Sequence, residues 1–424
     1  MNKILACLIL SAMTSTAFAQ SGTNSPYSQY GLGDLTDQST GFNKGMNGVG
    51  IAMRRGYEVN PLNPASYSAA DSLSMVFDAG LSGQITNFNE NGVKLNGKSG
   101  GFDYVVGMFR AFRNVGITFG VLPYSNVGYK YSTSVVLPDA ATAVASTYQG
   151  TGGLHQLFLG AGVRPFKPLS LGFNIAYLWG DYDKEVTTSS SSAINSLSKQ
   201  YSASVSNYKL DLGLQWEQRI GKSDAIILGA TFSPGHKLKA DPTCRIISTN
   251  STISKSDSTT FTISNGLELP TSYGVGLSYN HLQKFRVGAD FQMQKWGSIS
   301  YPDYNEGSYA LKDGLLKDRY QVNVGAEWMP NPLSRKLVNH VRYRIGAGYT
   351  TPYYYINGQE GPKELSVSLG FGIPIANVYN NRSVLNISAQ WAHRSADNLI
   401  TENTFRINIG LTFNERWFAK WKVE

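Results

Sequence analysis

The sequence predicts an all-β protein: a 14-stranded antiparallel transmembrane β-barrel with an N-terminal luminal hatch. Three observations predict it. The chain opens with an export signal, long segments alternate apolar and polar residues, and the connections alternate between tight turns and longer polar stretches. Side chains alternate across a strand, so such segments carry one apolar and one polar face. Short turns at one end and longer loops at the other mark an outer-membrane barrel, whereas a sandwich gives no reason for that asymmetry. Composition agrees. There are 44 Gly, 25 Tyr, 19 Phe and 7 Trp in 424 residues, with only 16% charged. A disordered tail protein or a coiled coil needs far more charge. No run of 18 apolar residues occurs, which excludes a polytopic helical membrane protein.

The elements follow in order. Residues 1–19 read as a signal peptide, with Lys3 as the positive region, Ile4 to Met13 as the apolar region and Ala17-Phe18-Ala19 as the cleavage site. Its removal takes Cys7 away and leaves Cys244 as a lone free thiol, with no internal disulfide to make. Residues 20–73 do not alternate. They run through Gly45, Gly48 and Gly50 to Asn60-Pro61-Leu62-Asn63-Pro64-Ala65-Ser66, and their prolines resist a central strand. Fourteen strands enclose a lumen that wall side chains alone do not fill, so this segment is expected inside as a plug.

Residues 74–413 are expected to form the barrel, with strands near 74–88, 101–112, 115–135, 151–164, 168–184, 200–219, 223–240, 255–281, 284–297, 317–329, 338–351, 362–374, 382–396 and 402–413. The last is representative: Phe405, Ile407, Ile409, Leu411 and Phe413 oppose Arg406, Asn408, Gly410, Thr412 and Asn414. Tight turns are expected at Arg113-Asn114, Phe166-Lys167, Gly221-Lys222 and Leu282-Gln283, and polar loops at 136–150, 185–199, 241–254 and 298–316. Trp179, Trp296, Trp328 and Trp391 lie near strand ends, where an aromatic girdle would place them. Residues 414–424 form a tail on the periplasmic side. Its Trp417, Phe418 and Trp421 and its basic residues are a candidate docking element for an outer-membrane or periplasmic protein.

Nothing in the sequence points to an enzyme, a cofactor or a metal site. The five histidines stand at no metal-ligand spacing and there is no Cys-x-x-Cys. His393 and Ser395 share a strand face, but one such pair cannot fill the roles of a catalytic site. Gly346-Ala347-Gly348 lies within a strand and reads as small residues of a barrel wall rather than a phosphate cradle. The net charge of +8 is scattered along the chain, as ordinary surface charge, and gives no nucleic-acid footprint.

The third strand is unusual in holding Gly120, Pro123 and Gly128. Proline removes a ladder hydrogen bond, so Pro123 is expected to mark either a bulge with a local gap in the wall or a bend beyond the membrane. With the Asn63-Pro64-Ala65 tripeptide behind a Gly-rich N-terminal segment, the fourteen strands and the kinked third strand, the chain resembles the long-chain fatty acid transporter (FadL/TodX-like) family of Gram-negative outer-membrane barrels. The resemblance spans the mature chain at the level of architecture. It implies that Asn63, Pro64 and Ala65 are hatch residues and that Gly120, Pro123 and Gly128 flank a lateral opening. It further implies passive passage of hydrophobic small molecules, such as long-chain fatty acids, by hatch movement and lateral exit into the membrane. The expected partners are then outer-membrane lipids and a hydrophobic ligand. The alternative is an accessory barrel that docks in a larger outer-membrane complex and transports nothing. The aromatic, basic tail and the absence of a long apolar capture loop speak for it.

Overall fold

A computed structural model describes residues 22–137, 142–190, 195–250, 252–282, 284–331, 334, 336–375 and 383–415. The expected signal peptide at 1–19 and residues 416–424 of the expected tail lie outside the described residues, while Asn414 and Glu415, expected in that tail, belong to the last strand. Fourteen antiparallel strands form the barrel: β1 (Met75–Glu90), β2 (Val93–Phe112), β3 (Val115–Leu137), β4 (Thr142–Val163), β5 (Leu169–Ser190), β6 (Asn195–Ile220), β7 (Asp224–Ser233), β8 (Ser272–His281), β9 (Phe285–Gln294), β10 (Arg319–Trp328), β11 (Arg342–Thr350), β12 (Lys363–Ile375), β13 (Ser383–Ser395) and β14 (Thr401–Glu415). β14 returns to pair with β1 from Met75↔Glu415 to Asn89↔Thr401, which closes the cylinder. The expected strand count and antiparallel closure are therefore those observed.

The alternation explains which face is which. Outward residues such as Leu159, Ile175, Leu277, Val324, Ile345 and Leu369 are exposed, although nothing in a soluble protein would tolerate so continuous an apolar belt. Their inward neighbours, among them Asn174, Ser278, Asn323 and Ser368, are buried. An outward apolar belt on a closed, even-numbered antiparallel barrel is the outer-membrane arrangement, and its short-turn end faces the periplasm. Trp328 and Tyr343 pack as a tilted pair outward at that end, and Trp391 stacks with His393 at the other. Trp179 also faces outward, half-buried and stacked on Tyr177. Trp296 departs from the girdle expectation. It lies past the end of β9 in a 3-10 turn, where strand parity no longer governs it, and packs 1% exposed against Tyr353. His393 bonds Asn403 through Nδ1 at 2.8 Å, so its ring is engaged across the β13–β14 pair.

Several boundaries move from expectation, each for a physical reason. The stretches expected as loops at 136–150 and 185–199 are largely strand. Rows of Ser and Thr keep the ladder going, with Ser132–Thr147 at 3.0 Å and Ser146–Thr188 at 3.1 Å across the strands. The strand expected over 223–240 stops at Ser233, because Pro234 has no N–H to donate. The span 255–281 splits in two. Lys255–Thr262 pairs with Thr243–Asn250, and that second strand pairs in turn with the upper part of β6, from Asn195 to Ser202. Pro270 then precedes β8. Cys244 lies near the start of Thr243–Asn250 as a buried free thiol. At the long-loop end, short pairs such as His236–Lys237 with Glu268–Leu269 fold over the mouth. Their Leu238 and Leu269, with Trp296, Tyr353 and Tyr354, share one buried cluster with Tyr27 and Leu32 of the N-terminal segment.

That segment fills the lumen. Glycines on the inner wall make this possible, because a Cβ at their positions would occupy space the plug backbone holds. At Gly346 it would overlap the Met46 carbonyl carbon, at Gly229 the Ile51 carbonyl oxygen, and at Gly162 it would come within 2.6 Å of the Pro64 oxygen. The abundance of glycine thus has a cause: wall and plug meet backbone to backbone.

Candidate functional site

Asn63, Pro64 and Ala65 stand at the fastening of plug to wall. Asn63 caps a 3-10 helix over Pro64–Ala69, its side chain accepting from the Ala65 N–H at 3.0 Å. Its Nδ2 donates to the Ile51 carbonyl at 2.8 Å and to the Leu214 carbonyl on β6 at 3.1 Å. A buried amide with its donors committed to two backbones anchors the segment. Ion pairs tie the same half of the plug to the wall. Arg55 bridges Glu58 at 2.9 Å and Glu327 at 2.5 Å, Arg342 meets Glu58 at 2.7 Å, and Arg344 meets Glu327 at 2.8 Å. Asp290 of β9 accepts the Gly50 N–H at 2.6 Å and the Ile51 N–H at 2.9 Å. Removing one partner of such a buried pair leaves an uncompensated charge, so this part of the plug is held fast.

Gly120, Pro123 and Gly128 stand at a break in the wall. β3 pairs with β2 only from Val115 to Val121, and above Val121 β2 no longer reaches it. On its other side β3 continues along β4, with a register shift between Pro123 and Ser125 that turns the extra residue, Tyr124, to the buried interior. Gly120 is at the last stretch of the β2 ladder, opposite Val106, where a Cβ would come within 2.5 Å of the Val105 oxygen. Pro123 pairs with His155 and His155 with Trp179, so the break starts at the outer edge of the apolar belt.

The exposed edge of β3 is sealed from within. The two-residue strand Asp34–Leu35 pairs antiparallel with Asn126 and Ser125, in the place β2 has vacated. Thr36 N–H donates to the Tyr124 carbonyl at 3.0 Å, while Thr36 Oγ1 at 2.5 Å and Gln38 Nε2 at 2.9 Å both donate to the Pro123 carbonyl. The Gly128 N–H donates to Ser28 Oγ at 3.1 Å. Gly22 lies between the separated strands: a Cβ on Gly101 of β2 would come within 3.6 Å of its Cα, and a Cβ on Gly22 would meet Asn126 of β3. Behind this seal is a cavity of about 130 Å³, bounded by Leu35, Gln38, Leu122, Tyr124, Gln156 and Phe158 on the side of the break. Its far side carries the Lys209–Asp211 ion pair and Arg319. Gln156 Oε1 is buried there with no hydrogen-bond partner among the described residues. Among the described residues no group of acidic, His and Cys side chains could hold a metal ion.

The structure therefore brings Gly120, Pro123 and Gly128 together at the break and sets Asn63–Ala65 apart from it, at the fixed end of the plug. Sequence reasoning missed the Asp34–Leu35 strand, which is too short to leave a periodicity. It also missed the ion-pair fastening, whose signals were Arg54-Arg55 ahead of Glu58 and the alternating Arg342 and Arg344.

The family model described as BamG matches residues 1–424. No curated protein matches the chain. Among solved structures, the toluene transporter TbuX of Ralstonia pickettii is similar, with 14% identity, 89% of this chain and 98% of that chain covered, and a TM-score of 0.61. The toluene transporter TodX of P. putida gives 14% identity, 90% and 99% coverage and a TM-score of 0.61. A Pseudomonas aeruginosa FadL homologue gives 10% identity, 90% and 99% coverage and a TM-score of 0.61. At these identities the likeness is one of fold.

Proposed function

The chain belongs to the BamG family, and from the geometry of its breached and plugged barrel we propose that it is an outer-membrane channel for passive entry of small hydrophobic molecules. The observation that carries this reading is the break beside Pro123 with a cavity directly behind it. The similar folds titled as toluene transporters and as a FadL homologue support the ligand class. A cavity of about 130 Å³ is of the size that holds a single small ring, since an engineered apolar cavity of about 150 Å³ binds benzene. A long acyl chain needs more room than the closed state offers. The driving force is transfer of apolar surface out of water, about 25 cal/mol per Å².

In this reading the moving part of the hatch is the strip Asp34–Gln38, held to β3 by a few hydrogen bonds, and not the anchored Asn63–Ala65. The ligand leaves the cavity past Pro123 into the outer edge of the membrane. A cross-link tests it. Leu35 and Ser125 are direct cross-strand partners, and such pairs lie at disulfide distance. Leu35→Cys with Ser125→Cys, oxidised, is expected to abolish uptake of labelled toluene by cells lacking their own transporter, and reduction to restore it. Unchanged uptake in the locked protein refutes the route.

A second reading, an accessory barrel docked in a larger outer-membrane complex, is favoured by two observations: the ion pairs that fix the plug, and the buried cluster that closes the long-loop mouth. No uptake of any hydrophobe by the wild type, together with a stoichiometric protein partner on purification in mild detergent, decides for it.

A further inference from the structure

We propose that the short-turn mouth of the barrel recognises an acidic polypeptide segment of a periplasmic protein. The inference is independent of hydrophobe uptake and rests on an imbalance of charge that the fold gathers from distant parts of the chain.

At the floor of the mouth, Arg55, Arg286, Arg342 and Arg344 share two carboxylates, Glu58 and Glu327. Arg286 stands in register opposite Glu327, but that carboxylate is already taken by Arg55 and Arg344. Arg286 is 8% exposed, and its Nη1 is buried with no hydrogen-bond partner among the described residues. A cation in that state is costly to hold. At the rim, Arg54, Arg164 and Arg219 converge on one further carboxylate, Glu217, at 3.9, 3.1 and 3.1 Å. Among the described residues, two carboxylates at the floor and one at the rim thus serve seven arginines. Arg113, exposed on the turn between β2 and β3, adds a further cation at the same end.

Two features choose the occupant. The wall arginines of this set lie at inward positions, while outward positions at the same level are apolar or aromatic: Val163, Trp216, Phe285 and Trp328. The charge therefore lies inside the wall rather than against the lipid headgroups around the barrel, and at Arg219 it reaches the opening. The cations of the floor and around Glu217 are arginine, whose planar fork pairs carboxylates bidentately. Lys167, Lys222 and Lys284, exposed on neighbouring turns at this end, add point charges against the further carboxylate of Asp224, which pairs with His281. Arg219 is the accessible member, with a side chain 75% exposed, and its pairing through Nε leaves the guanidinium edge open. Fastening the plug needs matched charge, and a surplus opposes it by repulsion. A surplus held at this mouth, with Arg219 exposed, fits an acidic partner.

The test uses the full-length protein in mild detergent and a fluorescein-labelled octaglutamate peptide as probe, read by anisotropy. Binding is expected, weakening as salt rises. Arg113→Gln with Arg219→Gln alters only exposed rim residues outside the floor network. The pair is expected to lower affinity about tenfold, while the heat-modifiable gel migration of the folded barrel stays unchanged. Lys130→Gln, at an exposed position near the opposite end, should bind as wild type. Absence of peptide binding, or equal binding by wild type and the double variant, overturns the proposal. So does a double variant that loses co-purifying phosphatidylglycerol but binds the peptide normally, since the occupant is then a lipid headgroup.

Discussion

Glycine at an inner-wall position acts here by what it leaves out. Gly346 of β11 and Gly325 of β10 flank Met46 of the plug, and a Cβ at Gly325 would come within 2.7 Å of the Met46 Cβ. Backbone cannot move aside as a flexible side chain can, so Gly346→Val forces plug and wall apart. Overpacking of this kind costs about 1–3 kcal/mol. The expected outcome is a lower temperature for loss of the heat-modifiable gel form, with leakage of small solutes through the loosened lumen. Gly83 of β1 has nothing within 4 Å of its Cβ position, so Gly83→Ala should leave both readouts at wild-type values. Equal effects of the two changes would show that the Met46 contact does not matter. The sequence showed that Gly346 and Gly348 sit in a strand. It did not show that they face plug backbone, because that contact joins residues 300 apart through the closed cylinder.

A strand of this wall has two faces with different surroundings, and β14 shows both. Ile409 faces lipid at 52% exposure near the middle of the strand. Ile409→Arg should cost about 2–4 kcal/mol at mid-membrane depth, measured by reversible urea unfolding in lipid vesicles. Ile409→Leu should change little, and a cost for Arg no greater than for Leu would overturn the facing of the strand. Period two was enough to assign this. What it could not convey is that the polar face is no open water channel: Asn408 is 4% exposed and donates to Ser388 at 3.2 Å. The elements that eluded the sequence share a cause, since alternation reports a face and not a partner. β3 alternates through Pro123 with no sign that β2 has left it and that Asp34–Leu35 has come in. The Ser-rich stretch beyond residue 184 reads as loop by composition, yet hydroxyl pairs carry it as strand to Ser190. Trp296 lies one turn beyond the point where parity stops applying.

At the scale of the molecule, two structures share one chain: a ladder closed from β1 to β14, and a plug held inside it. Among the described residues the plug joins the ladder only at the β3 edge, where Asp34–Leu35 pairs with Ser125 and Asn126. Closure from β1 to β14 leaves the wall a free edge only on β3 above Val121, so the barrel needs a further strand at that one place and nowhere else around its described ladder. The plug, by contrast, depends on the wall. Its recurrent partners are wall groups, such as Asp290 for the Gly50 and Ile51 N–H groups and Glu327 for Arg55. Removing residues 22–73 while keeping residues 1–21 should therefore leave a barrel that still inserts and still runs as a heat-modifiable species. Its lumen should hold water, since the inner face is lined by Asn, Ser, Arg and Asp side chains that lose their plug partners and become solvated. Planar-bilayer recording is expected to show a stable ion conductance that the full-length protein lacks. Returning residues 22–73 as a separate polypeptide should not restore closure if the plug cannot fold without the wall around it. A truncated chain that fails to give any heat-modifiable barrel would show the reverse dependence, with the plug acting as the template on which the wall closes.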